Sequence, residues 1–567
     1  MTTEKSIFDE LSDERKNLQK SGDLPEWFTT QGWQMFKEKY LFEAVGLRDT
    51  YQRIAKTAAS HTDNPQEWQD KFFNILWKGW LACSTPVLAN MGTDRGCAVS
   101  CSGSYVGDSV FDFYESQKEI AILSKNGFGT SSYLGDIRPR GKTISSGGKA
   151  SGVLPVLKDF VQVSRDISQG GTRRGAWAGY IEIDHDDFWE IVNFLLNNPD
   201  DCNIGWNISD DFIKRLNSGD QDAIERYQRA MKVKCVTGKG YFFFTDKTHR
   251  QQPQMYHDLG LRCKASQLCT EITLHSDVDH TYTCVLSSLN AAKYDEWKDT
   301  DTIFVATVFL DCVASEFIKQ GQNIRGLEKA VRFTEKSRAL GLGILGFHTY
   351  IQNKGWMIDS VKSEKFNIEL FKHLEEQSLS ASKWMAEQWG EPEWCKGYGV
   401  RNTHRLAIAP NTTSALICGS VSQGIEPVYK NAYVQGSSAG ELNRINPALL
   451  TLLKDKGVDV DGVVKQIIDD KGTVKNIDCL TPDEKMVYRT AFEIDQRVLI
   501  KLASDRQKYI DQAQSLNLFF SADEDEEFIS EVFQMGFEDP YIKSLYYMRS
   551  ESGVSASKGG VCESCEG

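Results

Sequence analysis

"LAIAPNTTSALI" occupies residues 406–417, and its two halves obey different rules. The first five residues are short, apolar and closed by proline, the pattern of a buried strand. The remainder places Asn, Thr, Thr and Ser ahead of an apolar run, the pattern of a helix start. A strand that turns directly into a helix is the repeating unit of α/β architecture. The hydroxyl cluster adds a second possibility. Free backbone N–H groups, the positive end of the helix dipole and side-chain donors together hold anions. An ordinary N-cap uses one such hydroxyl, so an anion site and a plain cap both stay open here.

The rest of the chain supports the same class. "GYFFFTD" (240–246) reads as another buried strand. "EKFNIELFKHLEEQSLSASKWMAEQWG" (364–390) reads as a long helix. Phe366, Leu370, Leu374, Ala381, Met385 and Trp389 fall near one face, and Gly390 is a stop. Residues 1–80 read as helical, and glycine and serine thicken between about 85 and 180. No repeat or low-complexity block occurs. From Ser550 the tail "SESGVSASKGGVCESCEG" is too small and polar to bury a core of its own. "GLGILG" (341–346) fits G-x-G-x-x-G, but the preceding "LEKAVRFTEKSRAL" is charged at helical spacing. A dinucleotide fingerprint requires a strand there. The expectation is a helix running into a strand whose glycines permit close packing.

Composition limits the function classes. The 567 residues are 40% hydrophobic and 25% charged, with a formal net charge of −14. No apolar run is long enough for a membrane helix, and the charged N-terminus lacks a secretory core. The net charge argues against nonspecific nucleic-acid binding. Fourteen cysteines without a framework rhythm point to free thiols in the cytoplasm, a host's cytoplasm were the chain viral.

Cys562 and Cys565 form a C-x-x-C pair at the end of the chain. Half a zinc site, a redox dithiol and accident are the three readings. No second Cys/His pair lies near in sequence, and such a dithiol suits exchange. Cys562 lies fifteen positions after Tyr547. That stretch spans roughly 20 Å as a coil and about 50 Å extended. Inside the chain, Cys269 precedes Glu271 by two positions in "SQLCTEITL". In an extended segment both side chains would share one face, a thiol beside a general base. Cys101 in "VSCSGSYVGDS" and Cys284 in "TCVLSSLN" complete the set. Cys83, Cys202, Cys235, Cys263, Cys312, Cys395, Cys418 and Cys479 read as small buried hydrophobes. Cys97 lies near Cys101 without an assigned role.

These motifs, in this order, resemble the large catalytic (alpha) subunit of class I ribonucleotide reductases, in a short form without the usual N-terminal ATP-cone. The resemblance implies a ten-stranded α/β barrel of two five-stranded parallel halves, with a central finger loop and a helical region before it. The implied divisions are residues 1–95, 96–545 and 546–567. "CSTPVLANMG" resembles the segment holding the substrate diphosphate, with Ser84 and Thr85; Ser100, Asn411, Thr412, Thr413 and Ser414 are further substrate-binding candidates. Asp108, Ser109, Arg138, Gln169 and Arg173 resemble the effector-binding residues, and Gln169 and Arg173 belong to the loop "SQGGTRRGA". "SLYYMRS" resembles the segment with a radical-relay pair, here Tyr546 and Tyr547.

The resemblance further implies ribonucleoside diphosphate reduction by a thiyl radical at Cys269, with Glu271 as base and Cys101/Cys284 as reducing dithiol. Cys562/Cys565 would re-reduce that dithiol and pass oxidation to thioredoxin or glutaredoxin. It implies no metal or cofactor in this chain. The radical would come from the metal centre of a separate small (beta) subunit, with dNTP and ATP as effectors and a homodimer as the assembly. Neither membrane nor nucleic acid is an implied partner. Two departures stand out. Gln267 replaces the family's usual asparagine, and only one hundred residues precede Cys101, so dATP is expected not to shut the enzyme off. A cobalamin-dependent reductase is the nearest rival, although it needs no tyrosine relay. A zinc-bearing nucleotide-binding regulator is the rival from another class, and it leaves the internal cysteines unexplained.

Overall fold

The computed structural model describes residues 7–43, 45–167, 175–437 and 440–551. Four helices come first: α1 (Ile7–Ser21), α2 (Thr30–Lys39), α3 (Leu47–Ala59) and α4 (Pro65–Trp77). Their starts follow capping rules. Thr29 accepts a hydrogen bond from Gly32 N ahead of α2, and Pro65 occupies the first turn of α4, where a missing N–H costs nothing. In α3, Leu47, Tyr51, Ile54, Ala55 and Ala58 form one buried stripe at helical spacing. Trp68 of α4 meets Trp384, which lies on the helix Val361–Trp389. That helix buries Phe366, Leu370, Leu374, Ala381 and Met385 and ends at Gly390, as its spacing predicts.

Beyond a short strand β1 (Leu81–Cys83), the first half of the barrel forms. It comprises β2 (Cys101–Tyr105), β3 (Gly129–Tyr133), β4 (Trp177–Glu182), β5 (Asn203–Ile208) and β6 (Tyr241–Phe244), paired in that order and all parallel. Helices lie between successive strands, and this is how parallel neighbours are connected. The second half starts with β7 (Tyr282–Asn290) and β8 (Leu340–Leu345), also parallel to each other. β7 runs antiparallel to β2, with Cys101 opposite Cys284 and Gly103 opposite Tyr282. Gly103 is required there, because a Cβ would sit 2.0 Å from the Tyr282 ring.

Closure uses fewer sheet bonds than the first half. The segment 406–408 is bridged to β8 through Leu342 and Leu406, and to 514 through Ile408 and Gln514. So "LAIAP" is extended between its neighbours, as read, yet makes single bridges in place of a full ladder. The glycines of "GLGILG" explain the close fit: a Cβ on Gly343 would lie 2.8 Å from Ala407 O, and one on Gly341 would lie 2.5 Å from Leu286. The helix Glu328–Ser337 leads into this strand, so the glycine motif serves packing. A two-stranded hairpin, β9 (Ala432–Ser437) and β10 (Gly440–Ile445), stands apart. The chain then supplies β11 (Leu518–Phe520), β12 (Ser544–Leu545) and β13 (Met548–Ser550). β11 is parallel to β13, Tyr546 N donates to Leu516 O, and β12 is antiparallel to β6. The ring is therefore ten strands in two parallel fives, with 406–408, 514–520 and 544–550 completing the second five. Among the described residues no helix is long and apolar enough to cross a membrane.

Candidate active site

Cys101 and Cys284 face each other at one junction of the two halves. Cys284 is fully buried and Cys101 is 5% exposed. Ser100 N donates to Cys284 O at 3.3 Å, which ties the predicted Ser100 to the same junction. Burial pushes the Cys284 thiol well above its ordinary range, and Cys101 and Glu271 add to the rise.

The segment 263–275 crosses the interior. Asn207 of β5 holds Lys264 O, and Tyr180 of β4 donates to Gln267 O at 2.6 Å. On the far side Thr273 N donates to Gln512 Oε1 and Ala513 N to Glu271 O. Both half-barrels thus grip this loop. At its tip Cys269 N donates to Gln267 Oε1 at 2.7 Å, and Thr270 has φ +68°. This corrects one expectation. Residues 267–270 form a turn, Thr270 N donating to Gln267 O at 3.3 Å, so strand alternation does not put Cys269 and Glu271 on one face. Ser515 joins them instead: its Oγ lies 2.5 Å from Cys269 O and 3.0 Å from Glu271 Oε2. Glu271 is 1% exposed, and burial raises its carboxyl to about 7 against the opposing hydrogen bond from Ser515. A carboxyl poised there exchanges protons readily near neutral pH.

The two candidate phosphate segments converge. Ser414 Oγ donates to Cys83 O at 3.0 Å, which brings the helix Thr412–Ile417 beside the start of the helix Thr85–Asn90. Ser84 Oγ is buried without a partner among the described residues. Thr85 pairs with Tyr40 OH at 2.9 Å, and Thr412 donates to Gln423. Thr413 is buried at the same helix start. Asn411 sits at φ +61° and turns its amide inward, donating to Ile344 O and Ala409 O and accepting from Ser288.

Asp108 and Arg138 pair through Nε at 2.6 Å, while Ser109 caps the helix Val110–Lys125 by accepting from Asp112 N. Gln169 and Arg173 lie outside the described residues, as do Cys562 and Cys565. The Tyr546 and Tyr547 rings lie 4.2 Å apart by centroid. Tyr241 of β6 touches both at 4.8 and 5.4 Å, and its hydroxyl meets that of Tyr547 at 3.1 Å.

Sequence reasoning missed Tyr241, Tyr180 and the polar run Gln512–Ser515–Asn517. Of the eight cysteines read as buried hydrophobes, Cys235 is exposed and Cys479 half-buried; Cys97 is buried, its thiol raised to about 12 by desolvation. One group among the described residues has metal-capable side chains, His275, Asp277 and His280. Its atoms already close on each other, because Asp277 accepts from both imidazoles at 2.9 and 2.8 Å.

Known proteins resemble this chain over most of its length. The family model for the ribonucleotide reductase all-alpha domain matches residues 26–96, and that for the barrel domain matches 99–226, 221–398 and 389–548. Frog virus 3 (isolate Goorha) carries a relative 32% identical over 526 residues, covering 88% of this chain and 91% of that one. The ribonucleoside-diphosphate reductase large subunit of invertebrate iridescent virus 3 is 28% identical, covering 91% and 95% respectively. Among solved structures, the Actinobacillus ureae class Id ribonucleotide reductase alpha subunit superposes with a TM-score of 0.86 at 36% identity. That likeness covers 93% of this chain and 98% of the other.

Proposed function

This chain belongs to the class I ribonucleotide reductase large-subunit family, and from that premise we propose that it reduces ribonucleoside diphosphates by radical chemistry centred on Cys269. The observation that carries the reading is the pairing of Cys101 with Cys284 at the junction, with Glu271 close enough to raise the Cys284 thiol.

A separate small subunit with a metal centre supplies the oxidising equivalent, and Tyr547 and Tyr546 pass it to Cys269. The resulting thiyl removes the 3′ hydrogen of the substrate, while Glu271 takes the 3′ hydroxyl proton. The 2′ hydroxyl leaves as water. Cys101 and Cys284 give up two electrons and two protons and become a disulfide, and the 3′ hydrogen returns from Cys269. Cys562 and Cys565 reduce that disulfide by exchange, and thioredoxin or glutaredoxin then reduces the tail. The converging helix starts at Ser84–Thr85 and 411–414 hold the diphosphate through backbone N–H groups and hydroxyls. Asp108, Ser109, Arg138, Gln169 and Arg173 bind a dNTP or ATP effector that selects among substrates.

The assembly is a homodimer. Val110, Phe111 and Tyr114 are 69%, 73% and 62% exposed at the start of one helix, a contiguous apolar surface beside the effector residues. The test is reduction of cytidine diphosphate by the full chain with dithiothreitol, with and without a metallated small subunit. Product only with the small subunit supports the reading. Product with adenosylcobalamin alone removes the relay from it, and effectors that leave the preference among four substrates unchanged remove the effector assignment.

A further inference from the structure

Three lysine side chains are buried along the seam where the last barrel strand meets the first half: Lys234, Lys247 and Lys543. Each Nζ donates to backbone carbonyls. Lys234 reaches Tyr546 O at 2.5 Å, Lys247 reaches Gly536 O and Phe537 O, and Lys543 reaches Asp511 O and Gln512 O. Lys234 is the extreme case. It is 0% exposed, lies over the rings of Phe242 and Phe533, and no carboxylate among the described residues offsets its charge. Burying an uncompensated ammonium is unfavourable, and an apolar side chain of the same length would pack there at lower cost. The group therefore needs a reason beyond stability.

Its acceptor supplies one. Lys234 lies on the helix Gln221–Thr237, which ends at Gly238 in the left-handed conformation. Gly238 O accepts from Met548 N at 3.1 Å. One helix end thus grips residues 546 and 548, on both sides of Tyr547. From the other face, Tyr546 N is held by Leu516 O and Tyr547 N by Asn517 Oδ1. Two residues earlier, Ser544 Oγ donates to Thr270 O at 3.1 Å, next to Cys269. The strand is stretched between the finger-loop tip and this helix end.

We propose that Lys234 is a positioning residue for the Tyr546–Tyr547 pair, fixing its distance from the Cys269 turn. The inference rests on the relay reading above and adds a residue to it. Lys234 touches no reacting atom and acts through the Tyr546 carbonyl. A displacement of about 1 Å in reacting groups costs on the order of a hundredfold in rate, so loosening one end of this strand registers in turnover.

The test uses the full chain with its small subunit and cytidine diphosphate. In Lys234→Met, kcat is expected to fall about tenfold or more, with KM and effector response unchanged and Tm equal or higher. Activity and stability moving in opposite directions is a signature that an ordinary structural lysine does not give. Lys234→Gln keeps an N–H donor without the charge and should be intermediate; it carries the test by the same criteria if the methionine variant does not fold. A kcat within twofold of the unsubstituted chain overturns the proposal, as does a loss that tracks a lower Tm and a raised KM. Tyr546→Phe run in parallel separates the two readings. Turnover lost there but kept in Lys234→Met overturns the lysine alone. Turnover kept in Tyr546→Phe overturns the relay, and with it the purpose assigned to Lys234.

Discussion

Cys101 and Cys284 stand directly opposite one another where β2 and β7 meet in antiparallel register. Opposed residues in such a pair have Cα atoms about 4.5–5.5 Å apart, inside the roughly 4.4–6.8 Å that a disulfide bridges. The register therefore puts the two residues within the Cα spacing that a disulfide spans. The junction also exists only because the two parallel halves run in opposite directions.

Oxidation of this pair is the first expectation. Turnover of the full chain without added reductant should consume four thiols, two at the junction and two at Cys562/Cys565, and two in Cys562→Ser/Cys565→Ser, measured by thiol titration of the denatured protein. Cys284→Ser should lose at least about a thousandfold in multi-turnover rate, since a hydroxyl cannot supply the electrons. It should also lose about 1–2 kcal/mol of stability, because the new hydroxyl is buried.

Glu271 sets a pH dependence of defined sign. Its carboxyl is raised from 4.5 to about 7 by burial, so the folded state holds the proton more tightly than the unfolded state does. The associated stability is full below about pH 4.5 and is lost as pH rises through about 7, on the order of 3 kcal/mol in all. Activity runs the other way, since a base must be deprotonated, so kcat/KM should rise to a plateau with a midpoint near 7. Glu271→Gln should abolish turnover yet be more stable than the unsubstituted chain above pH 7. Lys234, Lys247 and Lys543, each lowered from 10.5 to about 7 by desolvation, add stability as pH rises from about 7 towards 10.5, a window that includes pH 8. The comparison must therefore be the difference between the two chains' denaturant midpoints at pH 5 and pH 8.

Much of this site is legible in sequence because reactive residue types announce themselves. Cys269 and Glu271 sit in one short motif whose thiol and carboxylate are readable directly, Cys101 and Cys284 take their pairing from the family resemblance, and the strand–helix unit at 406–417 marks the fold class. The support is not legible in that way. Ser515 acts on Cys269 from 246 positions away, and "DQAQSLN" reads as a polar surface stretch. Its side chains are buried because the finger loop leaves peptide groups needing partners, a demand set by another segment. The misread Cys269–Glu271 geometry has the same origin. Alternation of faces presumes an extended backbone, and Gln267 folds the segment back by capping Cys269 N.

The exposed face at Val110, Phe111 and Tyr114 gives a test of assembly. Phe111→Lys should shift the protein from dimer to monomer in sedimentation at micromolar concentration, since a charge on a desolvated face weakens association by several kcal/mol. Because Phe111 is 73% exposed in the single chain, the Tm of the monomer should change little. A substituted chain that stays dimeric would remove this face from the interface.

Gln267 is the remaining departure from the family pattern, and its geometry predicts how much substitution it tolerates. Its Oε1 accepts from Cys269 N at 2.7 Å, while its Nε2 is buried and without a partner among the described residues. The first bond shapes the turn that presents Cys269. The second group is a buried donor within the loop that carries Glu271, and under the proposed function a substrate hydroxyl would be its partner. Asparagine also caps the N–H two positions on, so the turn survives that change. Gln267→Asn should therefore remain active within about tenfold, with its donor set back by one methylene. Gln267→Ala removes both groups, and kcat should fall about a hundredfold while the fold persists, from loss of the Gln267 Oε1 bond to Cys269 N and of the amide donor. Steady-state kinetics on the two variants checks this ordering. Background activity in Gln267→Asn would mean that the pocket is built around the longer side chain, and equal activity in both would mean that the amide contributes nothing to the turn.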